Sequence, residues 1–416
     1  MVQGFDETFF NFKLNTEYMN NNNLPQVLYI SLDGIMEPLG HSQVLKYLEK
    51  LSNNYEINLI SFEKINDLNN TKLVDDATKK CSDKSIKWYR LKYRNGYFGL
   101  GQTVNILNLL FVPFYILMKK NIVLVHIRSY VPGIFLPVLS LIFKYKLIFD
   151  IRGFWADEKH DRHNWKKKSL KYKFFKKLEK YLINKASYVV TLTESSKELI
   201  ALNFKKSKSS IKVIPTCVDS NEFKRLETSN NSQSLTIGYL GSVDTAYDFQ
   251  KFCSFVSQVN DNYKYQINLK IFTKQSQNDV MKLMDLKSLI GVNIDIRFVE
   301  RKNLPQELSS FDFLAFYLKE NFSVSASMPT KIAESLSCGI PIICNSFNAD
   351  INNLIKSNRI GLTHNFNDEF DETSLKKLLS LIEDPQTPER CLNAANEYFS
   401  LDKGVKNYEF LYKELT

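Results

Sequence analysis

Cysteine, histidine and tryptophan are scarce: the chain of 416 residues contains six, five and three of them, respectively. The cysteines are irregularly spaced and form no Cys-x-x-Cys pair, which argues against a disulfide framework and favours free thiols in a reducing compartment. The first ten residues, MVQGFDETFF, contain two acids and no long apolar run, so they do not resemble a signal peptide. We therefore expect a cytoplasmic protein.

Uninterrupted apolar segments are also missing, since none reaches the roughly 20 residues that a membrane-spanning helix needs. The segment from Val104 to Met118 is shorter and contains Asn and Pro, and a second apolar segment is interrupted by Lys144 and Lys146. Both are interpreted as core elements. Any membrane contact is expected to be peripheral.

Acidic residues are outnumbered, with 45 Asp and Glu against 55 Lys and Arg, which gives a net charge of +10. A basic balance favours partners that carry phosphate, such as nucleic acid, nucleotide-sugars or an anionic membrane. No recognised nucleic-acid-binding motif is present, so we expect no nucleic-acid partner. The hydrophobic share of 44% and the length indicate a globular protein with two domains.

Short apolar strands alternate with helical segments along most of the chain, which predicts α/β architecture with parallel sheets covered on both faces. The alternation pauses near Pro215 and the polar run Thr228–Ser234, then resumes. We predict an N-terminal extension (1–25), a first domain (26–212), a second domain (213–395) and a terminal helix (396–416). Ligands of such sheets bind outside the carboxyl ends of the strands, so the cleft between the domains is the expected site.

The stretch SASMPTKIAESLSCGIPII has the features of a helix start that binds phosphate. Ser327 or Thr330 is predicted to cap a helix that ends at Gly339. A helix start offers free N–H groups and a positive dipole end, to which Lys331 adds a full charge. Glu334, one turn further on, is placed to accept hydrogen bonds from ribose hydroxyls. The alternative interpretation is a well-capped helix without a ligand.

Two loops after strands are further candidates. In DGIMEPLGHSQ, Gly40 would let the backbone approach a phosphate, although turn glycines are common. In FDIRGFWADEKHDRHNW, Asp150 and Arg152 lie at a strand end, where α/β proteins carry their chemistry. A metal site from Asp157, His160, Asp161 and His163 matches no fixed ligand spacing, so we expect none.

The segment NWKKKSLKYKFFKKLEKYLINKA is predicted to form a basic amphipathic helix. Its apolar residues recur at helical spacing, and its lysines occupy the opposite face. The lysine face of the Lys166–Lys180 region suits either solvent or an anionic membrane, with Lys168, Lys173, Lys176 and Lys180 as the contacts. The apolar stripe consists of Leu170, Phe174, Leu178, Tyr181 and Leu182.

Six stretches occur in the order found in one enzyme family: LDGIMEPLGHSQVLKYL, HIRSY, FDIRGFWADE, VIPTCVD, YLGS and SASMPTKIAESLSCGIPII. They span most of the chain from about Val27 onward. On these motifs the chain resembles the GT-B glycosyltransferases of the retaining family 4 (glycosyltransferase group 1). RGFWADE and PTK…E…CG.P are the specific elements. They are similar to those of a bacterial subgroup associated with surface-polysaccharide and lipopolysaccharide assembly.

The resemblance implies two Rossmann-like domains facing across a cleft, with a nucleotide-diphosphate sugar bound mainly by the second domain and a glycan or lipid-linked acceptor by the first. It also implies metal-independent catalysis without a cofactor. The implied catalytic residues are Arg152, Lys331 and Glu334. The implied donor-binding residues are Gly40, Lys274, Ser325, Ser327, Thr330, Lys331 and Glu334. The implied acceptor-binding residues are His41, Arg128, Asp150, Asp157 and Glu158.

The sequence departs from the family pattern at two places. Glu334 matches the second glutamate of the Glu-x7-Glu signature, but Ala326 stands at the first, so backbone N–H groups of the Ser325–Met328 loop are the expected replacement. The usual Arg and Lys after the first strand of the second domain are absent from GSVDTAYD, which leaves Lys274 and Lys331 as candidate cations.

Three alternatives remain open at this point. A catalytically inactive nucleotide-sugar-binding subunit fits the missing glutamate. A GT-B sugar epimerase would need a pair of catalytic carboxylates in the cleft. An inverting enzyme would need a base in the first domain, for which His41 is the candidate.

Overall fold

The structure is a computed structural model that describes residues 24–94, 100–226, 234–243 and 246–416. Nearly all of the expected N-terminal extension, 1–25, lies outside the described residues. So does most of the polar run between the two predicted domains. The architecture consists of two parallel sheets, each covered by helices.

The first sheet has seven parallel strands in the order β3-β2-β1-β4-β5-β6-β7. Their apolar side chains are buried on both faces, as parallel strands between two helix layers require. The strands are β1 (Gln26–Ser31), β2 (Glu56–Glu63), β3 (Lys87–Lys92), β4 (Ile122–Arg128), β5 (Lys146–Asp150), β6 (Tyr188–Thr191) and β7 (Ile211–Val213).

The helices between these strands form two layers, because the strand order reverses direction after β3. One layer contains α1 (Pro38–Gly40), which continues through a π-helical turn (His41–Leu45) into α2 (Lys46–Leu51), followed by α3 (Ile65–Leu68) and α4 (Thr71–Asp83). The other contains α5 (Leu100–Lys119), α6 (Leu136–Ile142), α7 (Trp155–His163), α8 (Leu170–Lys185) and α9 (Glu194–Phe204).

The second sheet has six parallel strands in the order β10-β9-β8-β11-β12-β13. They are β8 (Ser234–Leu240), β9 (Gln266–Phe272), β10 (Asn293–Arg297), β11 (Phe313–Ala315), β12 (Ile342–Cys344) and β13 (Gly361–Thr363). The accompanying helices are α10 (Phe249–Asn262), α11 (Gln277–Lys282), α12 (Leu304–Leu308), α13 (Thr330–Ser337), α14 (Ala349–Asn358), α15 (Glu372–Glu383), α16 (Thr387–Phe399) and α17 (Leu401–Leu415).

The last helix, α17, packs against the first sheet rather than the second. Its buried residues Leu401, Val405, Tyr408 and Leu411 belong to the same hydrophobic core as strands β1 and β2 and helix α2. Lys50 of α2 forms an ion pair with Asp402 at the start of α17. The chain therefore crosses between the two domains twice.

Helix α5 is the one helix among the described residues that is long and apolar enough to cross a membrane. Only 39% of the segment Gly101–Lys119 is buried. The expectation of a core helix is thus correct for the inner face, where Leu109 and Ile116 pack on the sheet, and wrong for the outer face.

All six cysteines are free, as their spacing predicted, and all six are buried. Burial raises the pKa of each of Cys253, Cys338, Cys344 and Cys391 to about 12, so these thiols are unreactive at neutral pH.

Candidate active site

The carboxyl ends of the two sheets lie against each other across a set of direct contacts between the domains. The N–H of Ser323 donates a 3.0 Å hydrogen bond to the carboxylate of Asp161. The rings of Phe154 and Phe322 stack with centroids 5.3 Å apart. In the segment that joins the two sheets, the hydroxyl of Thr216 donates to the carbonyl of Met328 at 3.0 Å. The loops expected to hold the donor and the acceptor therefore meet at one interface.

The start of α13 has no side-chain cap. Pro329 occupies the N-cap position, so the prediction that Ser327 or Thr330 caps this helix is wrong. The Ser327 hydroxyl donates instead to the Ser323 carbonyl at 3.4 Å, and the Ser325 hydroxyl to the Phe322 carbonyl at 2.7 Å. An uncapped helix start leaves its backbone N–H groups and the positive end of its dipole accessible to an anion. The absence of a side-chain cap therefore favours a ligand at this position.

Lys331, in the first turn of α13, is buried among aromatic rings. Its ammonium lies 3.6 Å from the centroid of the Tyr247 ring and 4.8 Å from that of Tyr239. It has no hydrogen-bond acceptor among the described residues. Burial lowers the pKa of Lys331 to about 7, partly offset by the nearby carboxylate of Glu334. A buried cation without an acceptor is costly, which marks this position as one prepared for an anion.

The ammonium of Lys331 lies beside the turn from which the family's usual cations are missing. A Cβ added to Gly241, in the turn directly after β8, would lie 3.4 Å from the Lys331 Nζ. The turn after the first strand of this domain is where the family resemblance places its usual Arg and Lys. Lys331 thus brings a positive charge to that turn from a different helix.

Glu334 lies one turn further along α13 and is paired with a residue that the sequence did not single out. The Nη1 of Arg301 donates a 2.8 Å hydrogen bond to the Oε1 of Glu334, and the guanidinium also covers the Phe223 ring. The pair holds the carboxylate in one orientation and leaves its second oxygen available for a hydroxyl of the ligand.

Ala326, at the first position of the Glu-x7-Glu signature, is 1% exposed and packs into the core of the first domain. A glutamate side chain there would place its carboxylate among apolar groups. The departure from the signature therefore coincides with a packing contact between the domains, and this position offers no group to a sugar.

In the first domain, Asp150 and Arg152 at the end of β5 form the centre of a buried polar cluster. The Nε and Nη2 of Arg152 approach the Asp150 carboxylate at 2.9 and 2.8 Å. Arg152 adopts a left-handed backbone conformation with φ of 52°, which these side-chain contacts help to hold. Asp150 is fully buried, so it orients Arg152 and does not reach an acceptor directly.

Helix α17 completes this cluster. The Tyr408 hydroxyl donates to the Asp150 carboxylate at 2.9 Å and accepts from the Nη2 of Arg152 at 2.7 Å. Arg128 of β4 donates from its Nε to Asp33 at 3.0 Å, with its Nη1 3.7 Å from Asp150. The structure thus brings together three of the residues predicted for catalysis or acceptor binding: Arg128, Asp150 and Arg152.

His41 lies in the π-helical turn, and its Nε2 is 2.8 Å from the ammonium of Lys80. Burial and the charge of Lys80 lower the pKa of His41 to about 4. A histidine with such a pKa is a weak base, which disfavours the inverting alternative.

Gly40 is buried, and a Cβ at this position would lie 1.9 Å from the carbonyl oxygen of Gly34. Close packing of the loop after β1 therefore accounts for the glycine, whether or not a phosphate approaches it. Lys274, the other predicted donor cation, is exposed in the turn after β9.

Asp157 and Glu158 of α7 are each engaged by a partner within the first domain. Asp157 accepts from the Tyr172 hydroxyl at 2.6 Å and from Lys176 at 3.0 Å, and Glu158 pairs with Arg162 at 2.7 Å. Asp157 is buried and therefore anchors the loop that carries Arg152.

Lys176 was expected to face solvent or a membrane, and this prediction is wrong. Its ammonium points inward and pairs with both Asp157 and the fully buried Glu179. Two buried carboxylates require a cation nearby, which a count of lysines along a helix does not reveal.

The side chains considered for a metal site have separate partners. His160 Nδ1 lies 2.6 Å from the Trp165 carbonyl, and Asp161 contacts Ser323 of the other domain. Among the described residues, no three His, Cys, Asp or Glu side chains converge on one point.

Several side chains of the site were missed by sequence reasoning. Arg301, whose guanidinium pairs with Glu334, is one of them. Asn348 donates to the Val324 and Ser327 carbonyls at 3.0 and 2.9 Å and thereby fixes the loop before α13. None of these belongs to a motif, since tertiary packing alone brings them to the site.

Two family models match adjoining parts of the chain. Residues 78–222 match the model described as Glycosyltransferase Family 4, and residues 220–398 match Glycosyl transferases group 1. Together they cover more than three quarters of the sequence, in the order of the two sheets. The chain belongs to the GT-B glycosyltransferases of family 4. No curated protein matches this glycosyltransferase in amino-acid sequence.

Solved structures of other proteins share its fold at low sequence identity. Sucrose-phosphate synthase from Thermosynechococcus elongatus superposes with a TM-score of 0.68 at 12% identity, covering 94% of this chain and 99% of that one. HepE from Anabaena in complex with UDP-glucose gives 0.64 at 13%, with 94% and 100% covered. WaaG, a glycosyltransferase involved in lipopolysaccharide biosynthesis, gives 0.62 at 10%, with 91% and 98% covered. The shared fold confirms the predicted GT-B architecture.

Proposed function

We propose that this glycosyltransferase moves a sugar, with retention of anomeric configuration, from a nucleotide-diphosphate sugar to a hydroxyl of a glycan or lipid-linked acceptor. The observation that carries the proposal is Lys331, a buried ammonium at an uncapped helix start that has no acceptor among the described residues. A diphosphate supplies the missing negative charge. The structure of HepE with UDP-glucose has the same fold and supports a donor of this class.

In the proposed donor complex, the diphosphate lies between the start of α13 and the turn at Gly241, with Lys331 as its principal cation. Glu334 accepts hydrogen bonds from the ribose, with Arg301 holding the carboxylate in place. Ser325, Ser327 and Thr330 line the same helix start and are proposed to contact the diphosphate through the backbone.

The proposed chemistry needs no carboxylate nucleophile and no metal ion. The departing diphosphate develops negative charge, and preorganised donors at Lys331 and the helix start stabilise it. One such contact is worth about 2.7–4 kcal/mol in the transition state. The same phosphate oxygen helps to remove the proton of the incoming hydroxyl, on the face from which the diphosphate leaves. Arg152 is proposed to orient the reacting sugar from the first domain.

The cellular role that we propose is surface-polysaccharide or lipopolysaccharide assembly, on the cytoplasmic side of the membrane. The RGFWADE element and the fold shared with WaaG support this assignment. A lipid-linked acceptor would then be presented at the cytoplasmic membrane face.

A panel of UDP-, GDP- and dTDP-sugars tests the donor class by thermal shift. A ligand at 100 times its Kd stabilises the folded state by about 2.7 kcal/mol, which gives a clear rise in Tm. Lys331→Met serves as the control and should show a clearly smaller rise at the same ligand concentration, because its affinity is weaker. NMR of the product anomer then decides between retention and inversion. No response to any nucleotide-sugar would contradict the proposal.

A nucleotide-sugar-binding subunit without activity is the second candidate, and the buried Ala326 favours it because this position offers the sugar no carboxylate. The same donor panel separates the two. A wild-type protein that binds a nucleotide-sugar, yet neither transfers nor hydrolyses it with any glycan or lipid-linked acceptor, is the outcome that this candidate predicts.

A further inference from the structure

Three neighbouring helices of the first domain expose large apolar side chains on one outer surface. They are α5, α6 and α8, which pack through their inner faces on the same side of the first sheet. Phe143, directly after α6, contacts Phe114 of α5 at 5.5 Å, and Ser140 of α6 lies 2.9 Å from the Tyr181 hydroxyl of α8. The exposed residues of this apolar surface are Val104, Leu107, Phe111, Tyr115, Met118, Val138, Leu141, Ile142, Leu170 and Phe174.

The exposure is large where α6 ends and α8 begins. Leu141 is 84% exposed, Ile142 62% and Leu170 85%. Leu170 and Phe174 were predicted to belong to the buried stripe of their helix, and that prediction is wrong, because the core contacts of α8 begin at Phe175 and its fully buried apolar residues at Leu178. A contiguous apolar area of this kind on a soluble domain marks an interaction surface.

The exposed charges on α5, α6 and α8 are positive, because Glu179, the one acid in these three helices, is buried. Between Asp83 and Asp150 the sequence contains no Asp or Glu, whereas it contains several Lys and Arg. The exposed lysines beside the surface are Lys119, Lys144, Lys146, Lys166, Lys167, Lys168, Lys171, Lys173 and Lys177. Lys176 is not among them, because it pairs with buried carboxylates. Anionic lipid headgroups complement such an excess of exposed lysines.

We propose that the apolar surface of α5, α6 and α8 inserts into the interface of an anionic lipid bilayer, with the lysines around it on the headgroups. Apolar side chains beside a basic rim are the combination that interfacial binding requires. The three helices lie along the membrane plane in this arrangement, and α5 does not span it. The proposal is independent of the donor and acceptor assigned above.

Vesicle co-sedimentation tests the proposal on the full chain. Wild-type protein should bind vesicles of phosphatidylcholine with phosphatidylglycerol and bind much less to phosphatidylcholine alone. The variant Leu141→Ser/Ile142→Ser/Leu170→Ser should bind the anionic vesicles at least about tenfold more weakly, since apolar burial supplies much of the affinity. The variant Lys167→Gln/Lys168→Gln/Lys171→Gln should lose about fivefold for each lysine removed.

Matched controls come from the second domain. Ile290→Ser is a change at a side chain that is 76% exposed, and Lys282→Gln/Lys287→Gln/Lys356→Gln removes the same charge. Both should bind like wild type. All substituted side chains are exposed, so folding should be unaffected.

Insertion of the apolar side chains into the bilayer can be measured separately, by fluorescence. Because all six native cysteines are buried, Leu141→Cys can be labelled selectively with an environment-sensitive fluorophore. Its emission should shift to the blue with anionic vesicles, whereas a label at Ile290→Cys should not respond. An unchanged emission at position 141, or equal vesicle binding by the apolar variant, would overturn the proposal. So would a wild-type dimer that ignores vesicles and that the apolar variant converts to monomer, since a second copy would then cover the surface.

Discussion

The hydroxyl of Tyr408, in the last helix, donates a 2.9 Å hydrogen bond to the carboxylate of Asp150, at the end of a strand in the first domain. The same hydroxyl accepts from Arg152 at 2.7 Å. A helix that follows the second domain therefore helps to set the direction of a guanidinium proposed to orient the reacting sugar.

Tyr408→Phe should lower kcat about tenfold and leave the KM for the donor unchanged. The ring still packs, but Arg152 loses one of its anchors, and a hydrogen bond to a charged group is worth about 1.5–3 kcal/mol. Tyr412→Phe is the matched control, since its hydroxyl lies 2.8 Å from the Nδ1 of His126 on the same face of the helix. An equal loss of kcat in both variants would mean that Tyr408 acts only through stability.

Lys331→Met should weaken nucleoside diphosphate binding by about 1.5–3 kcal/mol and reduce turnover with it, because the ammonium contacts the diphosphate before and during reaction. The folded state should not be less stable, since Met fills the space among the rings without burying a charge. Calorimetric titration of the folded variant measures the affinity. Unchanged affinity would show that the lysine is part of the packing alone.

Diphosphate binding should take up a proton through Lys331 above neutral pH. In the free protein its pKa is lowered to about 7 by burial, and a bound diphosphate raises it again. Below pH 7 the ammonium is already charged, so affinity is at its maximum with respect to this group. As pH rises above 7, binding must first charge the lysine, and affinity falls by up to about tenfold per pH unit.

The check is calorimetry in buffers of different ionisation enthalpy, which counts protons taken up on binding. Lys331→Arg is the control, because arginine stays charged throughout this range. If the arginine variant and the wild type show the same proton uptake at pH 8, the titrating group lies on the ligand.

Glu334→Gln should weaken nucleotide binding and abolish the preference for an intact ribose. Wild type should bind the nucleoside diphosphate more tightly than its 2′,3′-dideoxy analogue, by about 1.5–3 kcal/mol. Arg301→Met is the companion variant: it removes the 2.8 Å contact but keeps the carboxylate, so some preference should remain. If Glu334→Gln still prefers the nucleoside diphosphate over its dideoxy analogue as strongly as wild type does, the ribose does not contact Glu334.

Lys176→Met should destabilise the protein by about 3–5 kcal/mol, because it leaves the carboxylates of Asp157 and Glu179 buried without their cation. Lys177→Met, at the exposed neighbouring position, should change the free energy of unfolding by less than about 0.5 kcal/mol. Chemical denaturation of both variants gives the comparison. Similar stabilities would mean that Lys176 is interchangeable with a surface lysine.

The sequence predicted the architecture because apolar strands and turn residues are local signals. Strands β1, β2, β4 and β8 are long and apolar enough to be recognised one by one. Strands β7 and β13, IKV and GLT, were missed because each has three residues and too few apolar side chains to stand out from the adjoining loops. The basic strand β3, KWYRLK, was missed because three of its six side chains are Lys or Arg.

The site was predictable where its residues lie close together in sequence. Lys331 and Glu334 share one helix, and Asp150 and Arg152 one strand end, so a motif shows each pair. Arg301 and Tyr408 reach the same places from distant parts of the chain. Their contributions depend on packing of whole domains, for which a single sequence carries no local signal. The inward orientation of the Lys176 side chain could not be predicted for the same reason.

The crossing of α17 to the first domain also fixes an order of events during synthesis. One face of the first sheet is covered in part by Leu401, Val405, Leu411 and Tyr412, which leave the ribosome after the whole second domain. Part of the apolar face of the first domain therefore stays exposed to solvent until the second domain and α17 have been translated. This differs from most domains, which fold as they emerge from the ribosome. Translation that stops before residue 401 would release a chain that is prone to aggregate, and the completed α17 seals both halves into one unit.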